Sequence, residues 1–270
     1  MANGFPLAFA HLMKTAGQTM RDILRRNFGA QHCDTLLFEK TTARDWRWMK
    51  VCYPRIKSIA GHCITPCDSL FDSFFPKARF FTFLREPVSR TISHYQFLVN
   101  GGHTVPSFEV WLEENRNFMT KRLAGTENAQ AAIDMLEEKV PFVGLMEHFD
   151  ESLLLWRHWT GLPNLEIRYH FVNRAPATTT KENILSREEN LDRIRGANEE
   201  DAKLYGYLVE QRMERQRSQY GSALADDLAA FQDEISKSEP PSGKTSAARL
   251  KRNLIYRTGL RSPKADRRYS

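Results

Sequence analysis

Ala78-Arg79-Phe80-Phe81-Thr82-Phe83-Leu84-Arg85-Glu86-Pro87-Val88-Ser89-Arg90-Thr91-Ile92-Ser93-His94-Tyr95 decides the fold class. Its opening, Ala78 to Leu84, is a short, almost unbroken apolar run, the mark of a strand buried on both faces. Pro87 suits the first turn of a helix, where its missing N–H costs nothing, and that helix continues to Leu98. A buried strand feeding directly into a helix is the repeating unit of a parallel sheet.

The same alternation recurs outward along the chain. Phe5 to Ala10 reads as a strand and Thr15 to Phe28 as a helix, with Met20, Ile23, Leu24 and Phe28 on one face. Ile56 to Ala60 reads as a strand ending at Gly61-His62, and Phe142 to Leu145 as another. Pro106-Ser107 opens a helix to Glu114, and Glu127–Glu138, Asp150–Trp159 and Glu199–Gln216 are further helices. Leu165 to Val172 is expected to add a final strand. Together these give a three-layer α/β fold, with a central, largely parallel sheet flanked by helices. Beyond about Lys237 the composition turns to Ser, Pro and Lys/Arg, so residues 1–236 form the α/β domain and 237–270 a basic tail, flexible or amphipathic.

Composition narrows the function. The 270 residues are 41% hydrophobic and 27% charged, a globular balance that excludes disordered and collagen-like classes. No run of 18 apolar residues occurs, so no membrane-spanning helix is expected. Met1–Phe9 lacks the basic start and small-residue cleavage site of a secretory signal, and no Asn-x-Ser/Thr sequon occurs, which points to a cytoplasmic protein. Of the net charge of +6, residues 241–270 supply +8, from nine Lys/Arg against Asp266 alone, leaving −2 for residues 1–240. That balance argues against nucleic acid as a partner of the folded body. Cys33, Cys52, Cys63 and Cys67 are too few for a disulfide scaffold. His62, Cys63 and Cys67 raise a metal site, but a single Cys-x3-Cys without a second pair is not a zinc pattern, and no metal is expected.

Two segments carry chemistry. His11-Leu12-Met13-Lys14-Thr15-Ala16-Gly17-Gln18-Thr19 joins the first strand to the first helix. A helix start after a strand offers backbone N–H groups to an anion, Lys14 adds a point charge, Thr15 and Thr19 add hydroxyls, and Gly17 permits close approach. This is not a Walker A loop, since Gly-x4-Gly-Lys-Ser/Thr is missing. Gly243-Lys244-Thr245 does not supply one, because position 238 is Ser and no strand precedes it. Arg85 ends the Ala78–Leu84 strand in the same manner, with Ser89 and Ser93 one helical turn apart behind it, a second set of groups for an oxyanion.

His-x-x-Lys-Thr-Ala-Gly-x-Thr followed by Leu-Arg-x-Pro-x-x-Arg-x-x-Ser-x-Tyr resembles the sulfotransferase superfamily, in particular the carbohydrate branch that includes the uronyl and heparan-sulfate 2-O-sulfotransferases. Asn117–Gly125 and Phe142–Ser152 also resemble that branch, and the similarity runs from about Phe5 to Gln216. The resemblance implies a P-loop-like fold and 3′-phosphoadenosine-5′-phosphosulfate (PAPS) as donor. Lys14, Thr15, Ala16, Gly17, Gln18 and Thr19 would hold its 5′-phosphosulfate, and Arg85 and Ser93 its 3′-phosphate. The implied reaction is in-line transfer of a sulfuryl group to an acceptor hydroxyl, favoured on a carbohydrate or glycoconjugate, with Lys14 stabilising the charge that grows on the bridging oxygen. Met13 stands where the family usually has Pro, and Gln18 where Gly or Thr is common. Both changes bear on the conformation of the loop.

His62 is the candidate base: it follows a strand at the same rim, and an ordinary imidazole titrates near neutrality. The branch resembled also places a catalytic His in a Gly-His segment here. His11, His94, His103 and Glu147 are weaker rivals, and Trp46 and Trp48 read as core rather than as a sugar platform. The alternative reading is a kinase-like phosphoryl transferase or a polyanion-binding protein. The missing Walker residues, and the lack of an Asp at a strand end for magnesium, weigh against the kinase. Arg249–Leu260 interleaves basic and apolar residues and suits a peripheral membrane or polyanion contact.

Overall fold

Short apolar runs become strands because burial on both faces leaves no room for alternation. In this computed structural model, which describes residues 6–35, 41–170, 188–237 and 245–258, the strands are β1 (Leu7–Ala10), β2 (His32–Asp34), β3 (Ser58–Gly61), β4 (Arg79–Leu84) and β5 (Phe142–Leu145). All four pairings are parallel, in the order β2-β3-β1-β4-β5. Register sets Ala10 level with Gly61 on one side and Thr82 on the other. Phe9 stacks on Phe81 at 5.0 Å and meets Phe83 edge-on at 6.3 Å, which seats the core at mid-sheet.

Helices flank this sheet: α1 (Gly17–Phe28), α2 (Ala43–Cys52), α3 (Ser69–Phe74), α4 (Pro87–Asn100), α5 (Phe108–Glu114), α6 (Phe118–Ala124), α7 (Ala129–Lys139) and α8 (Phe149–Thr160), then α9 (Glu188–Ala197), α10 (Glu199–Tyr207), α11 (Met213–Tyr220), α12 (Leu224–Lys237) and α13 (Thr245–Thr258). Pro87 occupies the first turn of α4, as its fixed φ favours. From β1 the chain crosses toward β2, whereas from β4 it crosses the other way toward β5. Crossovers of one hand that run in opposite directions put their helices on opposite faces. The switch point where such a sheet opens a crevice therefore falls between the carboxyl ends of β1 and β4, beyond which lie Lys14 and Arg85.

Strand β2 is held by charge rather than by apolar pattern. Asp34, 2% exposed, accepts Arg21 Nε at 2.6 Å and Arg25 Nε at 2.7 Å, with Arg252 Nη1 at 3.3 Å. Burial alone would raise its carboxyl, but the His32 side chain and the two α1 arginines hold it well below the usual range. Asp34→Ala would leave Arg21 and Arg25 buried without a counter-charge. The expected loss is about 3–5 kcal/mol of unfolding free energy, read by urea denaturation.

The expected strand at Leu165–Val172 is not one: residues 165–170 have no strand pairing, and 171–172 lie outside the described residues. Side chains of α1 take its backbone groups instead. Asn27 Nδ2 donates to the Glu166 carbonyl, Asn27 Oδ1 accepts from the Glu166 N–H, and Arg26 donates to the Arg168 carbonyl. The helix expected over Glu199–Gln216 is interrupted by a π-helical turn, Leu208–Arg212. In the basic segment, α13 packs on α1 and β2 through buried Ala248 and Ile255.

Candidate functional site

The loop after β1 is bent by two residues that ordinarily avoid that bend. Lys14 has φ +68° and Ala16 φ +62°, both left-handed without being glycine, a strain of about 1–3 kcal/mol each that such loops hold where function requires it. Ala16 is the N-cap of α1 and gives it no side-chain cap, and α1 has no acid in its first turn. By contrast α2, α3, α4, α5 and α7 each have a side-chain cap. The start of α1 thus offers its amides to an outside anion. Thr15 is fully buried and its hydroxyl donates to the Leu12 carbonyl at 3.0 Å, bracing the loop. Thr19 is buried and Gln18 exposed. Gly17 serves the loop by close approach, since a Cβ there would lie 1.6 Å from His11 Nε2.

Lys14 and Arg85 lie on the same rim, and Arg85 Nη1 donates to the Lys14 carbonyl at 3.4 Å. Burial, then the neighbouring Arg85, lowers the Lys14 ammonium. Its Nζ sits 4.6 Å over the Phe97 ring. Phe97 is one turn beyond Ser93, itself one turn beyond Ser89, so half-buried Ser93 belongs to the α4 stripe that meets Lys14. The amides of α4 are already used: the Glu86 carboxylate accepts from Val88 N at 2.9 Å and Ser89 N at 2.7 Å. An anion beside Arg85 must therefore be held by side chains. Glu147 also stands here, accepting from Glu86 N at 3.0 Å and from the Tyr205 hydroxyl at 2.8 Å. Both bonds tie the Glu147 carboxylate to neighbouring elements.

His62 is fixed from three sides. Its Nδ1 lies 2.8 Å from the His11 carbonyl, its ring stacks on His11 with centroids 4.0 Å apart, and its own carbonyl accepts from Arg122 of α6. A carbonyl only accepts, so Nδ1 carries the proton and the lone pair sits on Nε2. The near-neutral titration expected from sequence is not what this setting gives: burial, then Arg21 and Arg122, pull His62 down to about 3. Sequence reasoning missed Arg122, which reaches the site from α6, and Phe97 and Glu86, which lie on α4 and at its start. It ranked His94 low, yet His94 is buried against Trp111 and Phe118 and is also pulled to about 3 by burial, Arg90 and Lys14. Neither its ring nitrogens nor Nε and Nη1 of buried Arg90 have a hydrogen-bond partner among the described residues.

Trp46 is core, edge-on to Phe71 at 5.2 Å. All four cysteines are free thiols, with Cys63 beside the Thr35 hydroxyl at 3.2 Å. Among the described residues no group of three or more His, Cys, Asp or Glu is placed to hold a metal ion.

The buried histidines make stability pH-dependent. His62 and His94 hold folded values of about 3 against about 6.5 when unfolded, so the unfolded chain binds more protons as pH falls below 6.5. Their contribution is whole above that pH and is lost on acidification, about 1.5 kcal/mol per histidine between pH 6.5 and 5. Thermal unfolding across this range should show the fall, and His94→Gln should show a shallower one than the parent chain.

No protein-family model and no curated protein matches the chain. Among solved structures it is similar to a sulfotransferase from Alicyclobacillus acidocaldarius, at 14% identity and a TM-score of 0.38, over 72% of this chain and 96% of that one.

Proposed function

We propose that the protein is a sulfotransferase that uses PAPS and delivers to a hydroxyl of a carbohydrate or glycoconjugate. One observation carries this reading: Lys14, at the uncapped start of α1, and Arg85 share one rim at the sheet's switch point. The residues present fit a doubly phosphorylated nucleotide. Lys14 and the first amides of α1, with Thr19 nearby, would hold the 5′ end, and Arg85 with Ser93 the 3′ end. When bound, the donor supplies the sulfuryl group for in-line transfer. Lys14 places a cation where negative charge gathers. His62, with its proton given to the His11 carbonyl, presents Nε2 as the base for an acceptor hydroxyl. Incubating the chain with sulfate-labelled PAPS and a panel of uronate-containing and neutral oligosaccharides tests the reading. Label should pass to a sugar without added metal. Transfer to none of the sugars by a chain that binds the donor would overturn the carbohydrate assignment.

A further inference from the structure

Helix α13 divides its residues between two surfaces. On the inner side Ala248 and Ile255 are buried. Lys251 Nζ donates to the Ala30 carbonyl at 3.0 Å and lies 4.1 Å over the Tyr53 ring, while Arg252 reaches Asp34. These contacts fix the rotation of the helix about its axis. Lys251 and Arg252 are therefore spent on the body of the protein.

The outer side is left with an apolar pair. Leu250 is 73% and Leu254 61% exposed. Four residues apart, they stand one above the other on a single face. Arg249 is exposed next to them, its nearest acid contact being Asp22 at 3.9 Å. The segment 241–270 carries nine Lys/Arg against one acid, while residues 1–240 carry −2. That surplus of basic residues gives the segment an attraction to an anionic surface. A dissolved polyanion would use that charge and leave both leucines in water, whereas a bilayer uses the charge and the leucines together.

We propose that α13 docks the protein on an anionic lipid surface, with Leu250 and Leu254 entering the interfacial layer and Arg249 among the headgroups. No helix among the described residues is long and apolar enough to cross a membrane, so the contact is peripheral. The proposal stands apart from the donor site, since none of these residues touches Lys14, Arg85 or His62.

Sedimentation of the full chain with phosphatidylcholine vesicles, with and without phosphatidylserine, tests it. The parent should bind only the vesicles containing phosphatidylserine, and less so as salt rises. Leu250→Ser/Leu254→Ser, which adds no charge and alters only exposed positions, should lower that partitioning about tenfold at unchanged thermal stability. Equal partitioning of parent and double variant would overturn the proposal, as would binding to heparin with no binding to either vesicle.

Discussion

Replacing His62 by alanine is expected to lower kcat by about 10²- to 10⁴-fold while leaving donor affinity within about twofold. The expectation follows from how the ring is held. Its Nδ1 proton is committed to the His11 carbonyl, and stacking on His11 and the Arg122 bond to its own carbonyl stop the segment from turning. Since His62 protonates only at about 3, the proposed base is unprotonated throughout the neutral range, and kcat/KM should show no acid limb near pH 6.5 arising from this group. The limb belongs near pH 3, where the free enzyme gains the proton. Steady-state rates across pH, with PAPS and any accepted sugar, check both points. Turnover that survives His62→Ala would remove His62 from the chemistry.

The second large effect is at Lys14. Lys14→Gly should abolish donor binding, by about 100-fold or more, since it removes the cation at the start of α1. The same change should stabilise the fold by about 1 kcal/mol, because φ +68° suits glycine and strains lysine. Opposite signs in the two measurements separate a binding role from a structural one. Lys14→Gly that binds the donor normally, or that unfolds the chain, would contradict the reading of the loop.

How much of this was legible in the sequence depended on whether a feature was local. β4 and β5 could be read because burial on both faces writes itself as an apolar run, Arg85 because it closes such a run, and Lys14 because it lies in the loop that follows one. β2 could not, since His32-Cys33-Asp34 is held by Arg21 and Arg25 across the chain. Leu165–Val172 looked like a strand, but over its described part, residues 165–170, Asn27 and Arg26 claim backbone groups instead. At the site, His62 was found as a strand-end histidine. Its depressed titration was not, because the burial and the Arg21 and Arg122 charges that cause it come from other elements. Glu86 was passed over as a spacer before Pro87, though it caps α4 and so decides that an anion at Arg85 cannot use that helix's amides.

The central claim is that one nucleotide with a phosphate at each end spans the crevice between β1 and β4. Calorimetric titration of the full chain with adenosine 3′,5′-bisphosphate, without metal, tests it most directly, with ATP and magnesium as the comparison. Tight binding of the bisphosphate alone, lost in Arg85→Ala as well as in Lys14→Gly, is the predicted result. Preference for ATP with magnesium, or an Arg85→Ala chain that binds the bisphosphate as well as the parent, would contradict it.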